Sequence, residues 1–221
     1  MRTIDVGDDS LSADQLTVRR TNLGLVLRRL RDHGPRSRAT LATELGMTRS
    51  AVSTLVTELA ERGLVRVGGL ERGAVGRPGT TVELDGRAVA GLGAEINVNH
   101  VSTVAVDLRG EVVSEHELAL DARTVSAEEV LERLAELVTE TVADLDRRGA
   151  EPVGLTVGVA GLVDRERKVL THGPNLGWRD VPVGDLLTDR LGSAYPVTVD
   201  NEANLAAIAE ATPGDPDRRD V

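Results

Sequence analysis

Three segments near the start of the chain carry apolar residues at the spacing of an α-helix. The first begins near Thr21 and places on one face Leu23, Val26, Leu27 and Leu30. The second begins at Ser37 and ends at Gly46, a glycine suited to the positive φ of a helix terminus. The third is capped by Thr48, and its apolar face consists of Val52, Leu55, Val56 and Leu59. Two short strands follow, Leu64–Val67 and Thr81–Leu84, so the pattern predicts an α+β winged helix-turn-helix domain.

After Asp85 the pattern changes to strands and helices in alternation. The predicted strands are Gly91–Ile96, Ser102–Asp107, Val112–Leu120, Val153–Val159 and Val197–Val199, with a weaker strand pattern at Val169–Thr171. The predicted helices are Ser126–Arg148, Val183–Leu191 and Asn201–Ala211. The first of these opens with a capping box, because Glu129 follows Ser126 by three residues. The order βββαβαβα predicts an α/β domain.

These patterns divide the chain into three parts. Residues 1–16 have weak periodicity and several aspartates, so we expect a mobile tail. Residues 17–87 form the winged helix-turn-helix domain, and residues 88–221 form the α/β domain. No segment is apolar over the roughly 18 residues that a membrane span needs, the start does not resemble a signal peptide, and the chain has no cysteine. We therefore expect a cytoplasmic protein without membrane spans, disulfides or a metal site.

The net charge of −10 hides a strong asymmetry along the chain. Between Thr17 and Thr80 there are 12 arginines and 5 carboxylates, which makes this segment +7 and the remainder −17. A basic module joined to an acidic one indicates that only the first contacts phosphate. An arginine-rich solvated surface would have the same composition, so charge alone leaves both interpretations open.

The predicted third helix has a polar face suited to the major groove of DNA. This face carries Arg49, Ser50, Ser53, Thr54 and Thr57. Such short donors and acceptors can reach base edges and phosphates. Further candidate DNA contacts come from the starts of the second and third helices, at Ser37, Arg38 and Thr48. In the wing, Arg77 stands between glycine and proline and can enter a narrow minor groove. A purely structural helical hairpin and an ordinary flexible loop are the alternative interpretations.

Four motifs in the second domain occur in order along the chain. They are Gly158–Asp164 (GVAGLVD), Gly173–Trp178 (GPNLGW), Val199–Asn204 (VDNEAN) and Ala206–Glu210 (AAIAE). Together with the winged helix and its Gly-Arg-Pro loop, they resemble the ROK family of repressors and sugar kinases. Within that family the chain is most similar to the regulators of the xylose-repressor type, and the resemblance covers residues 17–221.

The resemblance implies an actin-like, ribonuclease-H-like fold for the second domain. In the family, two such lobes enclose a sugar-binding cleft, and the order βββαβαβα fits the first lobe. Members continue with a nucleotide-binding lobe and usually a cysteine-rich zinc motif. The chain therefore resembles a member truncated after its first lobe, either a fragment or a natural short form. By the same resemblance, the sugar-binding residues are Gly161, Asn175, Asn201 and Glu202.

The segment that would hold phosphate in a kinase departs from the family's pattern. Kinases of the family carry an Asp-Ile-Gly-Gly-Thr-type loop after the first strand, where backbone N–H groups meet phosphate. The corresponding residues, Ala94–Val101, include no glycine, threonine or aspartate. Glu202 stands where the kinases have the aspartate that acts as the base. We therefore predict no catalytic residue and no cofactor.

These observations predict a DNA-binding transcription regulator, a repressor of carbohydrate genes that responds to a small sugar. Its partners would be a double-stranded DNA operator, the sugar, and a second copy of the chain in a homodimer. Two alternatives stay open. One is a sugar kinase with a degenerate phosphate loop, which transfers phosphate from ATP to a hexose or pentose. The other is a DNA-binding module whose second domain only mediates oligomerisation.

Overall fold

The computed structural model describes residues 8–70, 80–192 and 195–211 of the 221-residue chain. The chain divides into two compact units between Asp85 and Gly86. This position is close to the boundary expected after residue 87. Each unit has its own core of buried aliphatic side chains. None of the helices described is both long enough and apolar enough to span a bilayer.

The first unit packs helices against a small sheet. In chain order its described elements are α1 (Asp8–His33), β1 (Arg36–Ser37), α2 (Arg38–Glu44), α3 (Arg49–Glu61), β2 (Val65–Leu70) and β3 (Thr80–Leu84). The strands form an antiparallel sheet in the order β1-β3-β2. The core between sheet and helices includes Val26, Leu30, Leu41, Val52, Val56, Leu59 and Val82. This arrangement confirms the predicted winged helix-turn-helix.

Helix α1 begins at Asp8, well before the start expected near Thr21. The expectation of a tail was therefore wrong for residues 8–16, which are helical. No glycine or proline interrupts residues 8–23. The sequence has aspartates at positions 8 and 9, and acidic residues in a first turn favour a helix start because of the helix dipole. The helix thus extends beyond the part whose apolar face is buried in the core.

The second unit is built on a five-stranded mixed sheet. Its described elements are β4 (Val89–Ile96), β5 (His100–Asp107), β6 (Val112–Ala119), α4 (Ala127–Arg148), β7 (Glu151–Val159), β8 (Leu162–Asp164), β9 (Val169–Gly173), β10 (Trp178–Val181), α5 (Val183–Leu191), β11 (Val197–Asn201) and α6 (Glu202–Ala211). The main sheet has the order β11-β7-β4-β5-β6, in which β11, β7 and β4 are parallel and the other pairs antiparallel. This agrees with the predicted order βββαβαβα. The weaker strand pattern predicted at Val169–Thr171 falls within β9. The structure adds β8 and β10, which pair with β9 in a small antiparallel sheet.

Helix α4 packs on one face of the main sheet. Its N-cap is Ser126, whose hydroxyl accepts the N–H of Glu129 at 3.2 Å, and Gly149 ends it with a φ of 70°. The side chains that it buries include Val130, Leu131, Leu134, Val138 and Leu145. The buried hydroxyls of Thr141 in α4 and Thr103 in β5 lie 2.7 Å apart and satisfy each other. The helix thereby holds the sheet on whose strand ends the second candidate site is built.

Candidate functional site

In the helix-turn-helix of the first unit, a tight turn connects α2 to α3 and a side chain caps the start of α3. The Thr48 hydroxyl accepts the N–H of Ala51 at 3.2 Å and starts α3. Gly46 has a φ of 64°, a conformation that is costly for residues with a Cβ. The Met47 N–H donates to the Ala42 carbonyl at 2.9 Å. The turn therefore holds α3 in a defined orientation to α2.

The face of α3 that points away from the core is polar. Arg49, Ser50, Thr54 and Thr57 are exposed, and Ser53 is half-buried. Arg49 makes no ion pair with the residues that the structure describes. Thr54 lies at the edge of this face, where its hydroxyl donates to the Ser50 carbonyl at 3.2 Å and lines a groove with α1. Helix α3 thus presents an unpaired guanidinium and several hydroxyls on one exposed surface.

The start of α2 differs from the expectation that both of its first residues are available to DNA. Ser37 is buried, and its hydroxyl accepts the N–H of Thr40 at 3.2 Å. This hydroxyl is therefore committed to capping α2. The next residue, Arg38, is half-buried, and its buried Nε atom has no hydrogen-bond partner in the described part of the chain. Of the two, only Arg38 keeps an unsatisfied donor.

Several other arginines of the first unit are neutralised locally. The Glu58 carboxylate lies 2.5 Å from Arg19 and 2.7 Å from Arg62. The hydrogen bond from Arg19 lowers the pKa of Glu58 below its ordinary value. Desolvation opposes this shift, and Arg62 adds to it. Arg49 therefore differs from these residues in having its charge uncompensated by a neighbour. The predicted wing residue Arg77 lies outside the described residues, as does the rest of the loop between β2 and β3.

The second candidate site lies where two parallel strands of the main sheet end. Strands β7 and β11 run side by side, with Val159 opposite Asn201. The chain leaves β7 through Gly161, whose φ is 151°. A Cβ at this position would lie 2.4 Å from the carbonyl oxygen of His172. The close approach of the two backbones therefore requires glycine.

The Asn201 side chain joins three parts of this site. Its Nδ2 atom donates to the Gly161 carbonyl at 2.9 Å and to a Glu202 carboxylate oxygen at 2.7 Å. Its Oδ1 atom accepts the N–H of Ala203 at 2.9 Å and so caps α6. The structure thus brings together Gly161, Asn201 and Glu202, three of the residues predicted to bind sugar. The carboxamide of Asn201 is used within the protein, whereas Glu202 is half-buried and has acceptor capacity left.

Asn175 lies in a tight turn between β9 and β10. The Leu176 N–H donates to the Gly173 carbonyl at 3.1 Å across this turn. Trp178, which follows the turn, is buried in the core. The Asn175 side chain is exposed and makes no hydrogen bond with any residue in the described ranges. The structure therefore leaves its carboxamide accessible but does not join it to the cluster around Asn201.

Asp200 is a buried carboxylate that the sequence interpretation did not single out. One oxygen accepts the Nδ2 of Asn204 at 3.0 Å and the N–H of Asn201 at 2.8 Å, and the other lies 3.1 Å from Nε of Arg165. The hydrogen bond from Asn204 lowers the pKa of Asp200 most; burial opposes it, and Asn201 and Arg165 lower the pKa further. The sequence signal for it was a carboxylate in a strand next to Val197 and Val199, because buried carboxylates are nearly always paired.

Replacing Asp200 with asparagine should make the second unit's stability less dependent on pH. The pKa of Asp200 is lowered in the folded protein, so its stabilisation is complete above the ordinary value of 3.8 and is lost as the pH falls through the folded pKa. Asparagine keeps an acceptor for Asn201 and Asn204 but carries no charge. Urea unfolding between about pH 6 and pH 3 should show the free-energy difference between the two proteins shrinking in acid. A constant difference would contradict this prediction.

The connection that would hold phosphate in a kinase is a tight turn between β4 and β5. The Asn97 N–H donates to the His100 carbonyl at 3.0 Å. The Val98 N–H donates to the Asn97 side-chain oxygen at 2.7 Å, so this backbone donor is occupied. Within the described ranges, no three His, Asp or Glu side chains are placed to hold a metal ion.

Comparison with protein families finds a match for each unit. The model of the ROK family matches residues 91–219, which is more than half of the chain. The model of the MarR family matches residues 24–74, the segment that contains α2 and α3. The two matched segments lie on either side of the boundary between the units.

Individual proteins are similar over most of the chain. The xylose repressor of Bacillus subtilis is 26% identical over 90% of this chain and 50% of its own length. A transcriptional regulator of Mycobacterium tuberculosis is 35% identical over 84% of this chain and 41% of its own. The chain thus spans about half the length of the curated relatives it matches. A solved ROK family transcriptional regulator, a homologue of the E. coli MLC protein, shares the fold with a TM-score of 0.66 at 20% identity, over 87% of this chain and 48% of that one.

Proposed function

This chain belongs to the ROK family, and on that premise we propose that it is a DNA-binding transcription regulator, a repressor of carbohydrate genes that responds to a sugar. The observation that carries the proposal is the exposed face of α3, where Arg49 is unpaired, in a chain that also holds a ROK unit. Relatives named xylose repressor and transcriptional regulator support it. Because the chain spans about half of those relatives, the proposal concerns the activity of the whole protein.

On the DNA, α3 would lie in the major groove. Its base-reading side chains would be Arg49, Ser50, Ser53 and Thr57. The residues at the borders of this surface, Arg38, Thr48 and Thr54, would contact the phosphate backbone, and Arg77 of the wing would enter the minor groove. Ser37 would contribute indirectly, by capping α2. The operator would be bound by a homodimer in the cytoplasm.

The sugar would be held at the ends of β7 and β11. Glu202 would accept hydrogen bonds from sugar hydroxyls, and a carboxylate makes a stronger acceptor than a neutral group. Asn175 has an unoccupied carboxamide, which offers both a donor and an acceptor to a hydroxyl. Gly161 would allow the backbone to approach the ligand, and Asn201 would position Glu202 and the Gly161 loop. No cofactor is needed for this role.

We propose no catalytic role for the chain. The kinase alternative requires backbone donors for phosphate after β4, and there the Val98 N–H is bonded to Asn97. By the family resemblance it also requires an aspartate as the base, and the corresponding residue here is Glu202. These observations favour ligand sensing over phosphate transfer.

A selection of duplexes from a random DNA pool tests the proposed function directly. We expect the chain to enrich one sequence and to bind it about a thousandfold or more tighter than unrelated DNA. The logarithm of the affinity should fall linearly with the logarithm of the salt concentration. In parallel, pentoses and hexoses are screened for a shift in the unfolding of the second unit, followed by the fluorescence of Trp178, the single tryptophan.

The matched variant for this experiment combines Glu202→Gln with Asn175→Ala. It should lose the sugar-induced shift and bind the selected duplex unchanged, because the two sites lie in separate units. An enriched pool without a common sequence would contradict the regulator. An undiminished sugar response in the double variant would locate the sensor elsewhere, and consumption of ATP with sugar would favour the kinase.

A further inference from the structure

A cavity of about 300 Å³ in the second unit lies at the end of the main sheet that is opposite to the Asn201 cluster. Its walls include Ala90 at the start of β4, Asp107 at the end of β5 and Ala150 just before β7. Strands β4, β7 and β11 are parallel, so the starts of β4 and β7 lie at one end of the sheet and the last residues of β7 and β11 at the other. The cavity is therefore separate from the proposed sugar site.

The walls of this cavity combine buried apolar side chains, such as Leu145, with several arginines. The basic residues are Arg87, Arg109 and Arg148, and Asp107 carries the one carboxylate among the described lining residues. The surrounding sequence has the opposite balance, because residues 86–221 contain 13 arginines and lysines but 25 aspartates and glutamates, a net charge of −12. Three arginines around one cavity of an acidic unit indicate a site for an anion.

Arg109 is held in place by a buried carboxylate. One oxygen of Asp107 accepts the backbone N–H groups of Arg109 at 2.8 Å and Glu111 at 3.0 Å, and the other accepts Nε and Nη2 of Arg109, each at 3.1 Å. A Cβ on Gly86 would lie 1.7 Å from that second oxygen, so the Gly86 backbone packs directly against the pair. The Nη1 group of Arg109 makes no hydrogen bond with any residue that the structure describes. Arg109 is thus oriented in advance and keeps donors for a ligand.

Arg148 adds a second guanidinium to the cavity. It lies exposed in the last turn of α4 and makes no ion pair within the described part of the chain, whereas the adjacent Arg147 is paired with Asp144. The N–H groups of Gly149 and Ala150 donate to carbonyls of this last turn, which leaves fewer free carbonyl oxygens to repel an anion. Arg148 is therefore available to a ligand in the cavity.

We propose that this cavity binds a phosphate monoester of a small metabolite, with the phosphate between Arg109 and Arg148. Three arginines and one aspartate give the lining a net charge of +2, and a phosphate monoester carries about −1.5 to −2 at pH 7. Its terminal oxygens accept paired hydrogen bonds from guanidinium groups. The volume of the cavity is at the lower end of the range for small-molecule sites, so a few carbon atoms fit beside the phosphate. The proposal depends on neither DNA binding nor sugar binding.

Calorimetric titrations of the 221-residue chain with glycerol 3-phosphate, inorganic phosphate and glycerol, at one ionic strength, test this site. We expect saturable binding of glycerol 3-phosphate, weaker binding of inorganic phosphate and none of glycerol. Arg148→Gln should raise the Kd of glycerol 3-phosphate by at least about tenfold, because charge-assisted hydrogen bonds are lost. Its fold should be preserved, since Arg148 has no partner among the described residues, and the thermal unfolding of the second unit, followed through Trp178, checks this.

Arg133→Gln is the matched control, because it removes the same charge from α4 at an exposed residue that pairs with Glu136 and does not line the cavity. It should change the Kd by less than about twofold, since distant exposed charges are screened by salt. Gly86→Ala is a second test that removes no charge. Its Cβ would displace the Asp107–Arg109 pair, so it should also weaken binding of glycerol 3-phosphate.

Four outcomes would overturn the proposal. The first is that glycerol 3-phosphate shows no saturable binding below about 10 mM. The second is that inorganic phosphate binds as tightly as the monoester, which would leave an unselective oxyanion site. The third is an equal loss of affinity in Arg148→Gln and Arg133→Gln, which would indicate a general effect of charge. The fourth is that Arg148→Gln weakens binding to the selected duplex while neither phosphate compound binds, which would assign the cavity's arginines to the DNA backbone.

Discussion

Replacing Arg49 with alanine is expected to weaken operator binding by about fivefold to 150-fold, which corresponds to roughly 1–3 kcal/mol. Arg49 is exposed at the start of α3 and makes no ion pair with a described residue, so its removal breaks no ion pair among the residues described. A guanidinium can donate two hydrogen bonds to one guanine, and their loss should also reduce the preference for the operator over unrelated DNA. Anisotropy titrations at one salt concentration measure both affinities.

Two further variants separate base recognition from charge. Arg49→Lys keeps the charge but not the planar fork, so binding to unrelated DNA should persist while operator preference falls. Arg62→Ala removes the same charge at the other end of α3, where Arg62 is paired with Glu58, and should leave operator preference unchanged. If Arg49→Ala retains the full preference for the operator, α3 does not read its sequence at this residue.

Replacing Gly161 with alanine is expected to destabilise the second unit by about 2 kcal/mol or more. The new Cβ would lie 2.4 Å from the carbonyl oxygen of His172 and 2.9 Å from the Cα of Gly173. Both are backbone atoms, so the clash is relieved only if a loop or strand moves. The φ of 151° adds strain, because residues with a Cβ rarely adopt it. The movement would also disturb the hydrogen bond from Asn201 to the Gly161 carbonyl.

Two other glycines of the same unit are controls for this variant. Gly91 has open space at its Cβ position and no positive φ, so Gly91→Ala should be neutral or slightly stabilising. Gly177 also has open space but a φ of 70°, so Gly177→Ala measures the cost of conformation alone, about 1 kcal/mol. Urea unfolding followed through Trp178 reports on the second unit. Equal midpoints for Gly161→Ala and Gly91→Ala would contradict the required close approach.

The helices of both units could largely be predicted from the sequence because their signals lie in contiguous residues. Thr48 caps α3 as predicted, and Ser126 caps α4. A cap and an apolar period involve residues within one or two turns of each other. The four motifs of the second domain are similarly local, and the match to the ROK family confirms the resemblance that they indicated. The start of α1 was missed because the apolar residues up to position 16 have only weak helical periodicity in the sequence.

Pairings between distant segments could not be predicted in the same way. Strand β1 has two residues and forms only because Arg36 and Ser37 pair with residues of β3. The strands β8 and β10 have three and four residues, too few for an alternation of apolar and polar positions to be recognised. Their partners lie in other segments, so the sequence of each strand alone carries little of the information.

The same distinction between local patterns and distant contacts applies to the candidate sites. The sequence by itself determined the residue types on the outer face of α3 and at the ends of the parallel strands. Only the tertiary structure decided what those groups are free to do: Ser37 is buried as a cap, Asn201 is bonded to Gly161, and Asp200 is paired with Arg165. The physical reason is that burial and hydrogen bonding depend on which distant atoms come within about 3 Å, and a local pattern of residues does not specify those neighbours.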